Sequence, residues 1–399
     1  MSSPRIRVTF VIQKLLGLTG GAERMFLQTA VSLAKLGMEI DLVIYDTSPA
    51  APQFDTGGLT ITNLCPITST PREGGNKTAG RLKRIPHSGP VGHLKWAMTH
   101  GMFERAVRKH LKRTTPDVVI AFLPPAITAA VRAVATLNIP VIASTHNVPE
   151  HDFGLDSPRW DQNPVYRTRA RAALSGATKI TVLLEDFKRW LTAEEQTRTT
   201  VMPNPVQRLS PSPVQPADRE NIVLAVGRLT DIKRYHLLIG AWAQLHEDFP
   251  EWRVDIYGEG DLRADLSAQI TAHGLGDVVR LCGVTSDIGA IYDRARLLCH
   301  PAAFEGFGLS VAEAMAHGIP AMGFADCAGI NQLITSRHDG FLIDPAPTPQ
   351  AALTASLHSA LSDPAHLEKL GQRAQKIAQT YQAEKIAMKW ETLVRDCLS

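Results

Sequence analysis

Short runs of β-branched and other apolar residues alternate along the chain with longer stretches whose apolar positions recur every three to four residues. In the first half the runs fall at 7–12, 40–45, 118–122, 141–144 and 179–183, with helical spacing at 22–36 and 103–113. Strands that alternate with helices predict parallel pairing through crossover helices, an α/β architecture. At 203–216 the sequence PNPVQRLSPSPVQP holds five prolines, which deny the backbone both helix and central strand, so it reads as an interdomain linker. The alternation then restarts at 222–226, 252–257, 279–282, 297–300 and 320–323. Two open α/β domains follow, and because ligands of such sheets bind beyond the carboxyl ends of the strands, a cleft between the domains is expected. The stretch 383–398 is helical and carries Trp390, expected to pack back across the domain junction, while 70–92, rich in Gly, Pro and basic residues, reads as a mobile loop.

Composition narrows the class. The 399 residues are 44% hydrophobic and 20% charged, which excludes extensive disorder, a collagen-like chain and a disulfide mini-scaffold. Net charge is +3, yet residues 1–210 carry 26 basic and 16 acidic side chains and the remainder 16 and 23. Such asymmetry points to two domains with different partners, the basic one facing phosphates of a nucleotide, a nucleic acid or an anionic membrane. Eleven of the cations lie at 72–113, accompanied only by Glu73 and Glu104; taken alone, that segment is a solvated face. Five widely spaced cysteines with no C-x-x-C pair indicate neither a disulfide framework nor a zinc site. The N-terminus lacks the features of a signal peptide, and no window offers eighteen uncharged apolar residues, so a cytoplasmic protein, peripheral on a membrane at most, is expected.

Four segments could carry chemistry. In LTGGAERMF, Gly20 and Gly21 follow a strand and precede a helix, where bare backbone and free N–H groups accept an anion; two glycines alone also fit an ordinary tight turn. In AVGRLTDIKRYHLLI, Arg228 and Lys233 on a strand-to-helix loop can clamp a diphosphate, although two surface cations would look the same. In HPAAFEGFGLSVAEAMAHGIP, Glu305 and Glu313 flank Gly306, Phe307, Gly308 and Leu309. If Gly308 and Leu309 open the helix, its amides suit phosphate and sugar hydroxyls and the carboxylates suit hydroxyl donors; surface glutamates would not explain the Gly-Phe-Gly. The fourth is His146, just beyond the run 141–144, where α/β domains collect active-site groups.

Together with PNPV, DIYGEGD and the terminal KWETL, these segments resemble the retaining GT-B glycosyltransferases of family four over nearly the whole chain. The resemblance implies an α/β fold of two Rossmann-like domains facing across a cleft: residues 1–205 for the acceptor, completed by a crossover helix at 384–399, and 206–383 for the nucleotide sugar. By motif match Arg228 and Lys233 hold the donor diphosphate, Glu313 the ribose hydroxyls, and Glu305 the transferred sugar beside the Gly306 to Gly308 amides. His146 matches a histidine that contacts the donor sugar, Gly20 and Gly21 the glycine loop beneath it, and Gly283 and Val284 border the base. The implied reaction moves a hexosyl group from a nucleoside diphosphate sugar, by family frequency a UDP-sugar, to a glycan hydroxyl with retention. It needs no metal and no cofactor, since the donor is itself a substrate, and no nucleic-acid partner. Relatives of this kind extend lipid-linked oligosaccharides for bacterial polysaccharides or glycoconjugates, which turns the basic segment, with Arg81, Lys83, Arg84, Lys109 and Lys112, into a patch for the membrane or acceptor. One departure stands out: Arg234 follows Lys233 where relatives often have Gly. An epimerase, a phosphorylase or a catalytically silent partner subunit could be built on the same fold.

Overall fold

The computed structural model describes residues 5–66, 89–157, 159–209, 215 and 218–399. The chain forms two compact units, Met1–Pro203 with Glu384–Ser399, and Asn204–Ala383.

The first unit is built on seven parallel strands in the order β3-β2-β1-β4-β5-β6-β7: β1 (Arg7–Val11), β2 (Glu39–Ile44), β3 (Ile61–Asn63), β4 (Val118–Phe122), β5 (Val141–Ser144), β6 (Lys179–Val182) and β7 (Thr199–Val201). Its helices are α1 (Gly21–Lys35), α2 (Gly89–Thr99), α3 (Gly101–Thr114), α4 (Leu123–Val134), α5 (Pro149–Phe153), α6 (Pro164–Gly176) and α7 (Ala193–Thr197). The central strands are apolar throughout, as parallel strands covered on both faces must be; every residue of VVIAF in β4 and VIAS in β5 is buried. Phe10, Phe26 and Phe122 form the aromatic centre, with ring centroids 5.3 to 6.1 Å apart.

The second unit holds six parallel strands in the order β10-β9-β8-β11-β12-β13: β8 (Ile222–Val226), β9 (Arg253–Tyr257), β10 (Val279–Gly283), β11 (Leu297–His300), β12 (Ala321–Phe324) and β13 (Gly340–Ile343). Its helices are α8 (Tyr235–Leu245), α9 (Arg263–Ala272), α10 (Ile288–Arg294), α11 (Leu309–Ala316), α12 (Pro349–Leu361), α13 (Pro364–Ala374) and α14 (Ile377–Thr380). The last helix, α15 (Ala383–Asp396), returns to the first unit, burying Ile386, Trp390, Leu393 and Val394 on one helical face. Trp390 stacks on Phe122 with centroids 6.4 Å apart, inside the first unit.

Both sheets reverse direction of growth at one place, between β1 and β4 in the first unit and between β8 and β11 in the second. Loops leaving neighbouring strands diverge there and open a crevice, so each unit's own ligand site is expected at that point. Three strands, β3, β7 and β13, were not foreseen by the hydrophobic pattern. Of the expected loop at 70–92, residues 70–88 lie outside the described residues and Gly89 opens α2.

Candidate active site

In the second unit the loops after β8 and β11 both leave the reversal point, and they carry the predicted residues. Arg228 follows β8 and is exposed; its guanidinium has no hydrogen-bond or ion-pair partner among the described residues. Lys233 closes a single 3-10 turn, Asp231–Lys233, before α8. Three backbone features fix this loop. Gly227 at φ 151° leaves room where a Cβ would lie 3.0 Å from Lys233 Cε and 2.8 Å from the Tyr235 hydroxyl. A Cβ on Gly258 would sit 2.0 Å from the Gly227 carbonyl oxygen, so only glycine lets the β8 and β9 loops touch. Arg234, between Lys233 and α8, takes φ 51° and ψ 35°, the left-handed conformation that explains why glycine suits this position.

Glu305 lies in the loop after β11, where it accepts an ion pair from Lys233 Nζ and a hydrogen bond from His300 Nε2 at 2.9 Å, both on Oε1. Burial alone would raise the Glu305 carboxyl; the Lys233 charge and the His300 bond outweigh it and hold the group well below the usual carboxylate range. His300 is buried, and burial together with the Lys233 charge pushes its pKa down, so the ring is neutral and its one proton sits on Nε2, facing Glu305. Its Nδ1 is buried without a partner. The result is a carboxylate fixed at one oxygen by a cation and a neutral donor, leaving Oε2 for a ligand hydroxyl.

Gly308 at φ 77° is the N-cap of α11, and Leu309 opens that helix. A Cβ on Gly308 would meet Ile330 Cγ2 at 2.7 Å. With no capping side chain, the first amides of α11 remain available to an anion or a hydroxyl oxygen. Glu313, one turn in, is buried and accepts from the Tyr292 hydroxyl at 3.3 Å. The Phe307 ring is buried edge-on against Tyr381, ring centroids 5.3 Å apart. Gly283 at φ 73° receives the Gly258 N–H at 2.8 Å, and Val284 beside it is exposed.

In the first unit, Gly20 is the N-cap of α1 and Gly21 its first residue. The loop before them is tied down by Asp46, whose buried Oδ2 accepts from the amides of Leu15 and Leu16 at 2.9 and 3.0 Å. His146 lies two residues past β5, stacked on Phe122 with centroids 4.3 Å apart. Two hydroxyls line it: Thr181 Oγ1 donates to Ser144 Oγ at 3.1 Å, and Ser144 Oγ lies 2.9 Å from His146 Nε2. The other ring nitrogen, Nδ1, is buried without a partner among the described residues. Burial pushes the pKa of the ring down to about 3, so at neutral pH His146 offers a neutral N–H. Lys109 and Lys112 are exposed on α3; Arg81, Lys83 and Arg84 lie outside the described residues.

Two family models divide the chain between them: a glycosyl transferase 4-like domain matches residues 20–205 and the group 1 glycosyl transferases match 207–377. The chain belongs to the GT-B glycosyltransferases of family four. A glycosyltransferase of Haemophilus influenzae is 23% identical to this one over 97% of the chain and 99% of that protein. An α-1,4-N-acetyl-D-galactosaminyltransferase of Campylobacter jejuni, acting on an undecaprenol diphosphate-linked saccharide, is 25% identical over 73% of the chain and 78% of that protein. Among solved structures, the glycosyltransferase superposes on sucrose-phosphate synthase of Thermosynechococcus elongatus with a TM-score of 0.78 at 21% identity, covering 98% of this chain and 99% of that one. Anabaena HepE in complex with UDP-glucose gives a TM-score of 0.73 at 20% identity over 98% of this chain and all of that one. What the motifs did not reveal in this glycosyltransferase are His300, Tyr292 and Asp46, which hold the predicted groups in place. Only His300 had a visible signal, five residues ahead of Glu305 in the same segment.

Proposed function

We propose that this glycosyltransferase moves a hexosyl group from a UDP-sugar to a hydroxyl of a lipid-linked glycan in bacterial polysaccharide or glycoconjugate assembly, on the cytoplasmic face of the membrane, with retention and without a metal or cofactor. The observation that carries the reading is Glu305, held by Lys233 and His300 at the sheet reversal beside the uncapped start of α11. The UDP-glucose complex of HepE and the lipid-linked substrate of the Campylobacter enzyme support the choice of donor and acceptor class.

Arg228 and Lys233 hold the diphosphate, Arg as a planar fork and Lys as a point charge, and stabilise the negative charge that grows on it as it leaves. Lys233 is engaged by Glu305 before the donor arrives, so binding is an exchange: the diphosphate takes the lysine and Glu305 keeps the His300 bond. Glu313 receives the ribose hydroxyls, Glu305 Oε2 a hydroxyl of the transferred sugar, and Gly283 and Val284 border the base. His146 contacts a ligand oxygen through its neutral ring, and Gly20 and Gly21 form the glycine loop of the first unit. The bond from the anomeric carbon to the diphosphate oxygen breaks while the acceptor oxygen bonds to that carbon on the same face; the acceptor proton passes to the departing phosphate oxygen.

The test is transfer of radiolabelled sugar from a panel of UDP- and GDP-sugars into lipid-extractable glycan, with chelator present throughout. Lys233→Ala removes a charge-assisted contact worth roughly 1.5–3 kcal/mol, so kcat/KM is expected to fall at least tenfold. Donor consumption without acceptor would replace the reading by epimerisation or hydrolysis, and unchanged turnover in Lys233→Ala would discard the clamp.

A further inference from the structure

The proline-rich linker is fastened to the second unit. Val206 N donates to the Tyr381 carbonyl at 2.8 Å, Arg208 forms an ion pair with Asp293 near the end of α10, and Leu209 N donates to His317 Nε2 at 2.9 Å. Where the chain passes over α10, a Cβ on Gly289 would lie 3.0 Å from the Leu209 carbonyl carbon, so that helix is bare where the linker crosses it. His317 closes α11 at its C-terminal end and is wholly buried. Both of its ring nitrogens are committed. A backbone N–H can only donate, so Nε2 must present a lone pair to Leu209, and the single proton of the ring lies on Nδ1, 2.8 Å from Asp293 Oδ1. A second proton would have to enter at Nε2, where it meets the Leu209 N–H head-on.

The same two helices hold Glu313. It lies one turn before His317 on α11, and Tyr292, next to Asp293 on α10, donates to it at 3.3 Å and packs its ring 5.3 Å from that of His317. We propose that His317 is a proton-operated latch: neutral, it clasps the linker at Leu209 to α10 and α11; protonated, it releases Leu209, and the hold of Tyr292 on Glu313 slackens with it. What faces the ring sets the switch point. Burial opposes a second proton most, Asp293 favours one, and Arg208 from the linker and Arg219 from the approach to β8 oppose it; the balance holds the ring below the usual histidine range. Arg219, whose guanidinium donates to the His317 carbonyl, lies in turn in the fields of Asp293, Arg208, Arg296 ahead of β11 and Glu368 on α13. A released ring takes its proton near pH 6.5, so release becomes roughly tenfold easier for each unit of pH below that value, until the latched ring titrates too. At neutral pH the latch is shut. Fastening of the linker stands apart from the reaction; the link to Glu313 matters through the reading of that carboxylate as the group for the ribose hydroxyls, and rests on it.

The measurement is hydrogen exchange at the Leu209 amide of the full chain, corrected for the intrinsic pH dependence of exchange. Exchange is expected to be slow at pH 7.5 and roughly tenfold faster at pH 5.5. His317→Gln, which carries an amide oxygen toward the place of Nε2 and takes no proton, should flatten that dependence. His317→Phe, which offers no acceptor, should exchange fast at both values and open the bond after Arg208 to trypsin at neutral pH. The same acceleration in His317→Gln overturns the latch, as does protection that survives in the native chain down to the pH at which the unit unfolds. A second arm measures UDP affinity by calorimetry at the same two pH values. A fall in the native chain that His317→Gln escapes is the result expected; an equal fall in both variants severs the link to Glu313. Absence of UDP binding by the native chain at neutral pH sinks the nucleotide reading and that link with it, while the exchange data still decide the latch.

Discussion

Arg234 gives the sharpest test of the loop that holds Lys233. Its φ of 51° and ψ of 35° place an L residue in the left-handed region, which costs roughly 1–2 kcal/mol relative to an ordinary conformation. Glycine carries no such cost but loses more conformational freedom on folding, about 0.4–1 kcal/mol. The guanidinium has no hydrogen-bond or ion-pair partner among the described residues, so nothing else is forfeited, and Arg234→Gly should stabilise the second unit by about 1 kcal/mol. For a unit of this size that is a rise in its melting temperature of about 3 °C. Arg234→Ala is the control: it removes the same side chain but keeps the Cβ and hence the strain, so it should melt with the wild type. Calorimetry of both variants reads the difference directly. If Arg234→Gly is no more stable than Arg234→Ala, the backbone of this turn is not what the structure shows and the argument fails. Nucleotide affinity of the same pair answers a separate question: an equal loss in both would assign the guanidinium a phosphate contact.

Three further outcomes follow from the same geometry. Gly308→Ala combines a left-handed φ with a 2.7 Å approach to Ile330, and should cost the second unit about 2 kcal/mol or more in urea unfolding while weakening nucleotide binding; an unperturbed midpoint would contradict the cap geometry. His146 binds its proton at about pH 3 when folded and near pH 6.5 when unfolded, so the unfolded chain holds the extra proton between those values and stability falls as the pH drops through that window. From pH 7 to pH 5 the loss attributable to this ring is about 2 kcal/mol, and it should vanish in His146→Phe; an NMR titration of the ring near 6.5 would refute it. Trp390→Ala removes a buried ring from α15 and should destabilise the first unit by roughly 3–5 kcal/mol, whereas a loss confined to the second unit would show that the helix had been assigned to the wrong body.

Much of this was legible because the chemistry is local. The central strands are buried on both faces and so appear as unbroken apolar runs, and five prolines at 203–216 mark where one sheet ends and the next begins. The start of α11 could be located from Gly-Phe-Gly alone. The missed strands lie at sheet edges: β3 and β7 have three residues each and are only half-buried, too short and too mixed to stand out. Of the residues that fix the site, Tyr292 is 21 positions from Glu313 and Asp46 some 30 from the loop it pins, so their roles arise from packing and leave no local pattern. The packing of the Phe307 ring against Tyr381 is likewise a contact between distant positions that no local pattern announces.

The return of α15 to the first unit makes the order of synthesis matter. Residues 1–203 leave the ribosome with Phe122 still lacking the ring that covers it, and the missing face, Ile386, Trp390, Leu393 and Val394, is made only after the whole second unit. The unit that emerges first is thus the last to be finished. A chain interrupted anywhere in between displays an apolar scar at the end of β4, close beneath His146, and is marked for chaperones or proteases before it can bind substrate.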